Sequence, residues 1–168
     1  MIRGEGRLVE WRLGDTPHAT ELMHTMLSRY RMHRGLPASQ LPQGIRQDTR
    51  KHTRHILRPE AALVEEFFAH PSEAVWRESM AKYRAELERR FAQDRQPFDA
   101  LAALAQHEDV YLGCSCPTAK VPDVRKCHTW TALEFMHEKY PDLDVRMPRT
   151  PALTQPSPTA AAEQERKT

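Results

Sequence analysis

The sequence predicts an α/β fold: a small, mostly parallel sheet flanked by helices, in a single domain over residues 1–147. Three stretches lead there. The run DVYLGC, 109–114, is short, apolar and rich in β-forming residues, as a buried strand is. WTALEFMHEKY, 130–140, then carries Trp130, Leu133, Met136 and Tyr140 at helical spacing, with Phe135 beside them, and Pro141 closes it. LDVRM, 143–147, is a candidate final strand. Strand, helix and strand in that order form a parallel crossover, which is right-handed in nearly all known folds and builds a layered sheet.

The remaining elements follow from the N-terminus. RLVEWR, 7–12, alternates weakly and reads as a strand. Thr16 with Pro17 opens a helix over 17–33, because proline at the first helical position loses no needed N–H. Leu22, Met23, Met26, Leu27 and Tyr30 supply its apolar stripe. Gly35, Pro37, Pro42 and Gly44 break the periodicity, so 34–58 is expected to be irregular.

Pro59 starts a second helix with Leu63, Val64, Phe67 and Phe68 on its buried side, interrupted at Pro71-Ser72. Ser72 caps the next, where Val75, Trp76, Met80, Tyr83, Leu87 and Phe91 form one stripe. PFDALAALAQH, from Pro97, is a shorter helix with Phe98, Leu101, Leu104 and Ala105 inward. From Pro148 to Thr168 the chain offers almost nothing to bury, and a disordered tail is expected.

Composition narrows the function classes. A chain of 168 residues suffices for one core. Its 39% hydrophobic and 29% charged residues include no apolar run near the ~20 needed to cross a bilayer, so no membrane role is expected. MIRGEGRLVEW has no continuous apolar stretch of the kind a secretory leader needs. Three cysteines, an odd number, fit free thiols or ligands in a reducing cytoplasm better than a disulfide frame. A formal charge of +2 counts against a strongly electrostatic nucleic-acid binder, while leaving room for a local patch.

All three cysteines fall in YLGCSCPTAKVPDVRKCHTW, 111–130. Cys114 ends the buried strand, and Cys127-His128 stands at the start of the next helix. Ligands in open α/β sheets bind beyond the carboxyl ends of the strands. A helix N-terminus also stabilises a thiolate, which makes Cys127 the better nucleophile, with His128 as its base or its cationic partner. Thr131 and Glu134 form a competing capping box that would leave Cys127 outside the helix dipole. Cys114 taken alone, at a strand end, is better explained by simple packing.

Four metal ligands are available by count, Cys114, Cys116, Cys127 and His128, with zinc or iron as the candidate ion. The single residue within C-x-C and the adjacency of Cys127 and His128 both depart from usual zinc spacing. A third candidate is the basic segment IRQDTRKHTRHILR. Its Arg46, Arg50, Lys51, Arg54 and Arg58 could contact nucleic-acid phosphates, or could form a solvated face balanced by Glu60, Glu65 and Glu66.

Over roughly 41–146 the pattern resembles the DUF488 family, small bacterial and archaeal proteins of uncharacterised activity. Leu112, Cys114, Cys116, Cys127 and His128 correspond to its strand-end cysteines and the C-H-R that opens a helix. Pro59, Leu63, Phe67, Trp76, Tyr83, Glu86 and Leu87 fit its upstream helical block. Thr129 stands where an arginine is usual, and ten residues, two of them proline, separate Cys116 from Cys127. QGIRQD, with Gln43, Gly44, Ile45 and Arg46, or RGLP at Arg34, occupies the place of the family's opening strand and arginine-containing turn. The resemblance implies an α/β fold with the Cys-His segment at the sheet's edge, and no established reaction. The functions in view are thiol chemistry at Cys127 with Cys114 or Cys116 as resolving thiol, a metal-binding protein without turnover, or nucleic-acid binding.

Overall fold

A computed structural model describes residues 24–149. Three strands form one parallel sheet in the order β1–β3–β2: β1 Leu27–Arg31, β2 Ile45–Asp48 and β3 Val110–Cys114. Leu27 pairs with Val110 and Arg31 with Cys114 on one side of β3, while Ile45 pairs with Val110 and Asp48 with Gly113 on the other. Four helices accompany them: α1 Ala61–Ala69, α2 Glu73–Gln93, α3 Gln96–His107 and α4 His128–Lys139.

The central strand matches the expectation: Val110 and Leu112 are fully buried on one face, while Tyr111 on the other is half-buried beside the buried Gly113. Asp109, at its entrance, fastens both neighbours. Its carboxylate accepts from Met26 N–H at 3.1 Å, and its carbonyl accepts from Ile45 N–H at 2.8 Å. Gly44 makes the second approach possible. Its φ is +130°, and a Cβ there would lie 2.5 Å from the Asp109 carbonyl oxygen.

Three expectations are corrected. The helix over 17–33 does not extend through its second half, where Leu27–Arg31 is the strand β1. LSRYR alternates as well as it repeats helically, and a central strand's backbone groups require partners on both edges. The 34–58 segment is not wholly irregular, since QGIRQD supplies β2. Of LDVRM, only Val145 bridges, to Leu27, with Leu27 N–H donating to Asp144 O at 2.8 Å. The strand expected at 7–12, residues 17–23 of the first helix and the tail from 150 lie outside the described residues.

The helical stripe on α2 packs as its spacing requires. Tyr83 and Leu87 are fully buried against Phe98, Leu133, Phe135 and Met136. Phe91 meets Phe98, Phe135 and Tyr140 edge-on at 5.3–6.3 Å between ring centres. Ser72 caps α2, its hydroxyl accepting from Val75 N–H at 3.1 Å.

One buried cation ties α2 to the chain before α1. Arg90, 7% exposed, donates to the carbonyls of Ile56 and Arg58 at 2.9 and 2.7 Å and to the carboxylates of Glu60 and Glu86 at 2.6 and 3.0 Å. The Tyr83 hydroxyl donates to Leu57 O at 2.6 Å beside it. By contrast α1 has no fully buried residue, so it lies over the structure as a half-covered helix with Leu63, Val64 and Phe67 turned inward. Among the described residues, no helix is long and apolar enough to cross a membrane.

Candidate functional site

The cysteine segment begins where β3 ends. Cys114 is the last residue of the strand, and its carbonyl accepts from Met32 N–H at 2.9 Å, which holds it to the β1 side. The chain turns back through reciprocal Thr118 and Val121 backbone bonds of 2.9 and 3.1 Å. Asp123 then caps a short 3-10 turn, Val124–Lys126, accepting from Arg125 N–H at 3.0 Å. That turn delivers Cys127 to the N-cap of α4.

This settles the competing cap. Thr131 donates its hydroxyl to Met80 Sδ at 3.6 Å, and Glu134 accepts from the Trp130 indole at 2.9 Å, so neither caps α4. Cys127 stands at the positive end of a twelve-residue helix.

The fold brings the three sulfurs together. The Sγ atoms of Cys114, Cys116 and Cys127 all lie within 4.8 Å of one another. All three cysteines are free; Cys114 and Cys127 are buried and Cys116 is half-buried. His128 Nδ1 is 3.9 Å from Cys127 Sγ. Its Nε2 is 2.9 Å from Thr49 Oγ1, whose hydroxyl reaches the Gly113 carbonyl at 3.0 Å. A hydroxyl has one proton. Given to Gly113, it leaves Thr49 to accept from Nε2–H and turns Nδ1 toward the thiols.

Thr129 completes the ring around Cys127. Fully buried, it donates its hydroxyl to Cys127 Sγ at 3.1 Å and accepts from Arg29 Nε at 2.8 Å. Arg29 also donates through Nη2 to the Cys116 carbonyl. The strand β1 thus sends a guanidinium across to the thiol loop.

The electrostatics follow from these contacts. Hydrogen bonds from Cys114 and Cys116, with His128 adding its charge, hold the Cys127 thiol well below its ordinary range although burial opposes this. Burial alone would depress His128, but its bonds to Cys114 and Cys127 outweigh that and raise it to about 9. Cys116, bonded to Cys114 and Cys127, is pushed up and keeps its proton. These shifts favour a thiolate at Cys127, an imidazolium at His128 and a protonated thiol at Cys116.

The site opens into a cavity of about 270 Å³ between the cysteine loop, α1 and α2. The family model described as "DUF488-N3a: Active DUF488-N3 subclade" matches residues 11–139, well over half of the chain. The chain belongs to the DUF488 family. No curated protein and no solved structure matches it.

Within this DUF488 protein the match begins well before residue 41, so it takes in β1 and Arg29. The arginine usual after Cys-His is Thr129, yet a guanidinium still reaches the spot: Arg29 holds the Thr129 hydroxyl from the neighbouring strand. Arg29 and Thr49 are the site residues that the sequence did not reveal. Their partners lie 100 and 79 positions away, and only the alternation of LSRYR hinted that Arg29 could share a face with Leu27.

The basic segment is divided by the fold. Arg50 and Lys51 line the cysteine cavity, where Arg50 pairs with Asp48 at 2.8 Å and Lys51 with Glu65 at 3.0 Å. Arg54 lines a separate, shallower concavity with Gln47 and His55. Arg46 and Arg58 donate to the nearby carbonyls of Pro42 and His55, both at 3.2 Å. Of the expected acidic partners, Glu65 does pair within the segment, while Glu60 and Glu66 turn to Arg90 and Lys82.

Proposed function

We propose that this protein acts through a reactive thiolate at Cys127, with His128 as its charge partner, Thr129 as a hydrogen-bond donor and Cys116 as the resolving thiol. The observation that carries this reading is the gathering of three sulfurs within 4.8 Å, one of them at the N-terminus of α4. A thiolate there is both available at neutral pH and stabilised by fixed donors, the conditions for a nucleophile or a redox thiol. Cys116 lies half-buried on the loop with its sulfur within 4.8 Å of that of Cys127, close enough to pair with it as a disulfide.

Diamide tests the pairing. The Cys127 thiolate adds to one azo nitrogen, which leaves the other to take a proton. The Cys116 sulfur then attacks Cys127, expels the hydrazine and gives up its own proton. The two thiols lose two electrons and diamide gains them. The expected product is an intramolecular Cys116–Cys127 disulfide, about 2 Da lighter by mass spectrometry and absent in Cys127→Ser. Oxidation that yields only intermolecular dimers contradicts the pairing.

The same three sulfurs support a second reading, a metal centre. Thiolates suit zinc or iron, and three protein ligands with an open fourth position are the pattern of a catalytic rather than a structural site. Elemental analysis of protein purified without a histidine tag separates the two. Under the thiol reading, metal is well below one equivalent. About one equivalent of zinc or iron, lost in Cys127→Ala, transfers the site to the metal reading.

A further inference from the structure

We infer that the cavity beside the cysteines binds a small amphipathic anion. Its apolar body, about the size of one ring, packs beneath α1, and its acidic group accepts from the Ser79 hydroxyl. This deepens the thiol reading by naming what is brought to Cys127.

Three independent features of the wall specify the ligand. The first is an orphan. Ser79 is 2% exposed and lines the cavity, and its Oγ is the one buried side-chain oxygen or nitrogen among the described residues with no hydrogen-bond partner. Buried hydroxyls are almost always satisfied, so one without a partner, on a residue that lines a cavity, calls for an acceptor on that side when a ligand is bound.

The second feature is charge. Apart from the cysteines and Tyr83, every ionisable side chain on the wall is basic: Arg50, Lys51, His52, Lys126 and His128. The carboxylates that pair with Arg50, Lys51 and Lys126, namely Asp48, Glu65 and Glu73, stand off the wall. With His128 balancing the Cys127 thiolate, the remaining cations of the wall favour an anion over a cation of equal size.

Third, the walls above the thiols are apolar. Leu63, Val64 and Phe67 from α1 face Met80 and Tyr83 from α2, and Phe68, 46% exposed, stands at the edge with its ring 5.7 Å from that of Phe67. A volume of about 270 Å³ falls at the small end for ligand pockets, which excludes a nucleic acid or a large cofactor and admits a ring with a short acidic chain.

The test uses two probes with one skeleton, 4-phenylbutanoate and 4-phenylbutylammonium, titrated into the full chain and followed by amide NMR shifts. The butanoate is expected to perturb the Cys114–Cys116 and α1 amides and to bind at least about tenfold more tightly than the ammonium. Ser79→Ala removes an unpaired hydroxyl, so it is expected to leave the melting temperature unchanged or raised while weakening the butanoate about three- to tenfold. Lys51→Gln with Lys126→Gln is expected to narrow the preference between the two probes. Equal or tighter binding of the ammonium, no shift with either probe up to about 10 mM, or full affinity in Ser79→Ala overturns the inference. None of these outcomes depends on the reactivity of Cys127. The thiol reading therefore stands or falls separately, on the alkylation of that residue.

Discussion

His128→Asn raises the pH at which Cys127 becomes reactive and lowers its alkylation rate at pH 6.5 by an order of magnitude or more. In the native protein the imidazolium persists up to about pH 9, so through neutral pH the Cys127 thiolate faces a full positive charge with Nδ1 3.9 Å away. Asparagine keeps a polar side chain near Thr49 and removes the charge. Each unit by which the thiol midpoint rises reduces the thiolate fraction below that midpoint roughly tenfold. The sign for stability follows from His128, whose folded value of about 9 exceeds its ordinary 6.5. Its protonated form stabilises the native state fully below about pH 6.5, and that contribution is lost as the pH climbs through 9. The depressed Cys127 thiol gains stability over the same range, so the two contributions offset between about pH 6.5 and 8.5, and the wild type's His128-linked loss emerges only above the ordinary thiol value of about 8.5. Thr129→Val gives a smaller shift in the same direction, because it removes one neutral donor from Cys127 Sγ and leaves the guanidinium of Arg29 without its acceptor.

The largest effect on stability is expected at Arg90. Arg90→Ala lowers the unfolding free energy by about 2–5 kcal/mol, chiefly because hydrogen bonds from a charged donor are lost at about 1.5–3 kcal/mol each. Two backbone carbonyls, Ile56 and Arg58, lose their donor at the same time. Arg90→Met, which keeps the apolar stem against the core, recovers part of that loss and separates packing from charge. Denaturant titration of the three proteins reads the difference. Acid reports the same network. Arg89 first, and then Arg90, hold the Glu86 carboxyl at about 2, below its ordinary 4.5. Its stabilising contribution is complete above about pH 4.5 and is lost as the pH falls toward 2, and Arg90→Met blunts that acid-sensitive fraction.

Much of the site was legible because it is local. β3 ends at a cysteine, α4 begins after one, and a single loop joins the two ends. Apolar stripes on α2 and α4 were equally plain, since Tyr83, Leu87, Leu133 and Met136 repeat at helical spacing and are buried. Where the reading failed, contacts distant in sequence decided the outcome. Met26, Leu27 and Tyr30 satisfy a helical period, but Val110 needs a partner on that edge, and Leu27–Arg31 becomes strand. The N-terminus of α4 was ambiguous between Cys127 and Thr131 until Met80 and Trp130 occupied the side chains of the capping box. Thr49 looked like one polar residue in a basic run, and its bond to His128 crosses 79 positions. His55 shows the same limit. Burial first, then the charge of His128, lowers it to about 4, and its Nδ1 accepts from Leu57 N–H at 3.1 Å, so it is a neutral loop brace rather than a member of a cationic patch.

The account depends on Cys127 being a thiolate in the folded chain at neutral pH. Its most direct test is the rate of iodoacetamide labelling from pH 4 to 10, resolved by residue with mass spectrometry, on a sample whose metal content has been measured. Cys127 is expected to label first, with a midpoint well below the ordinary thiol value of about 8.5, while Cys116 lags because it holds its proton. A Cys127 midpoint at or above that ordinary value, or faster labelling of Cys116 at neutral pH, would contradict it.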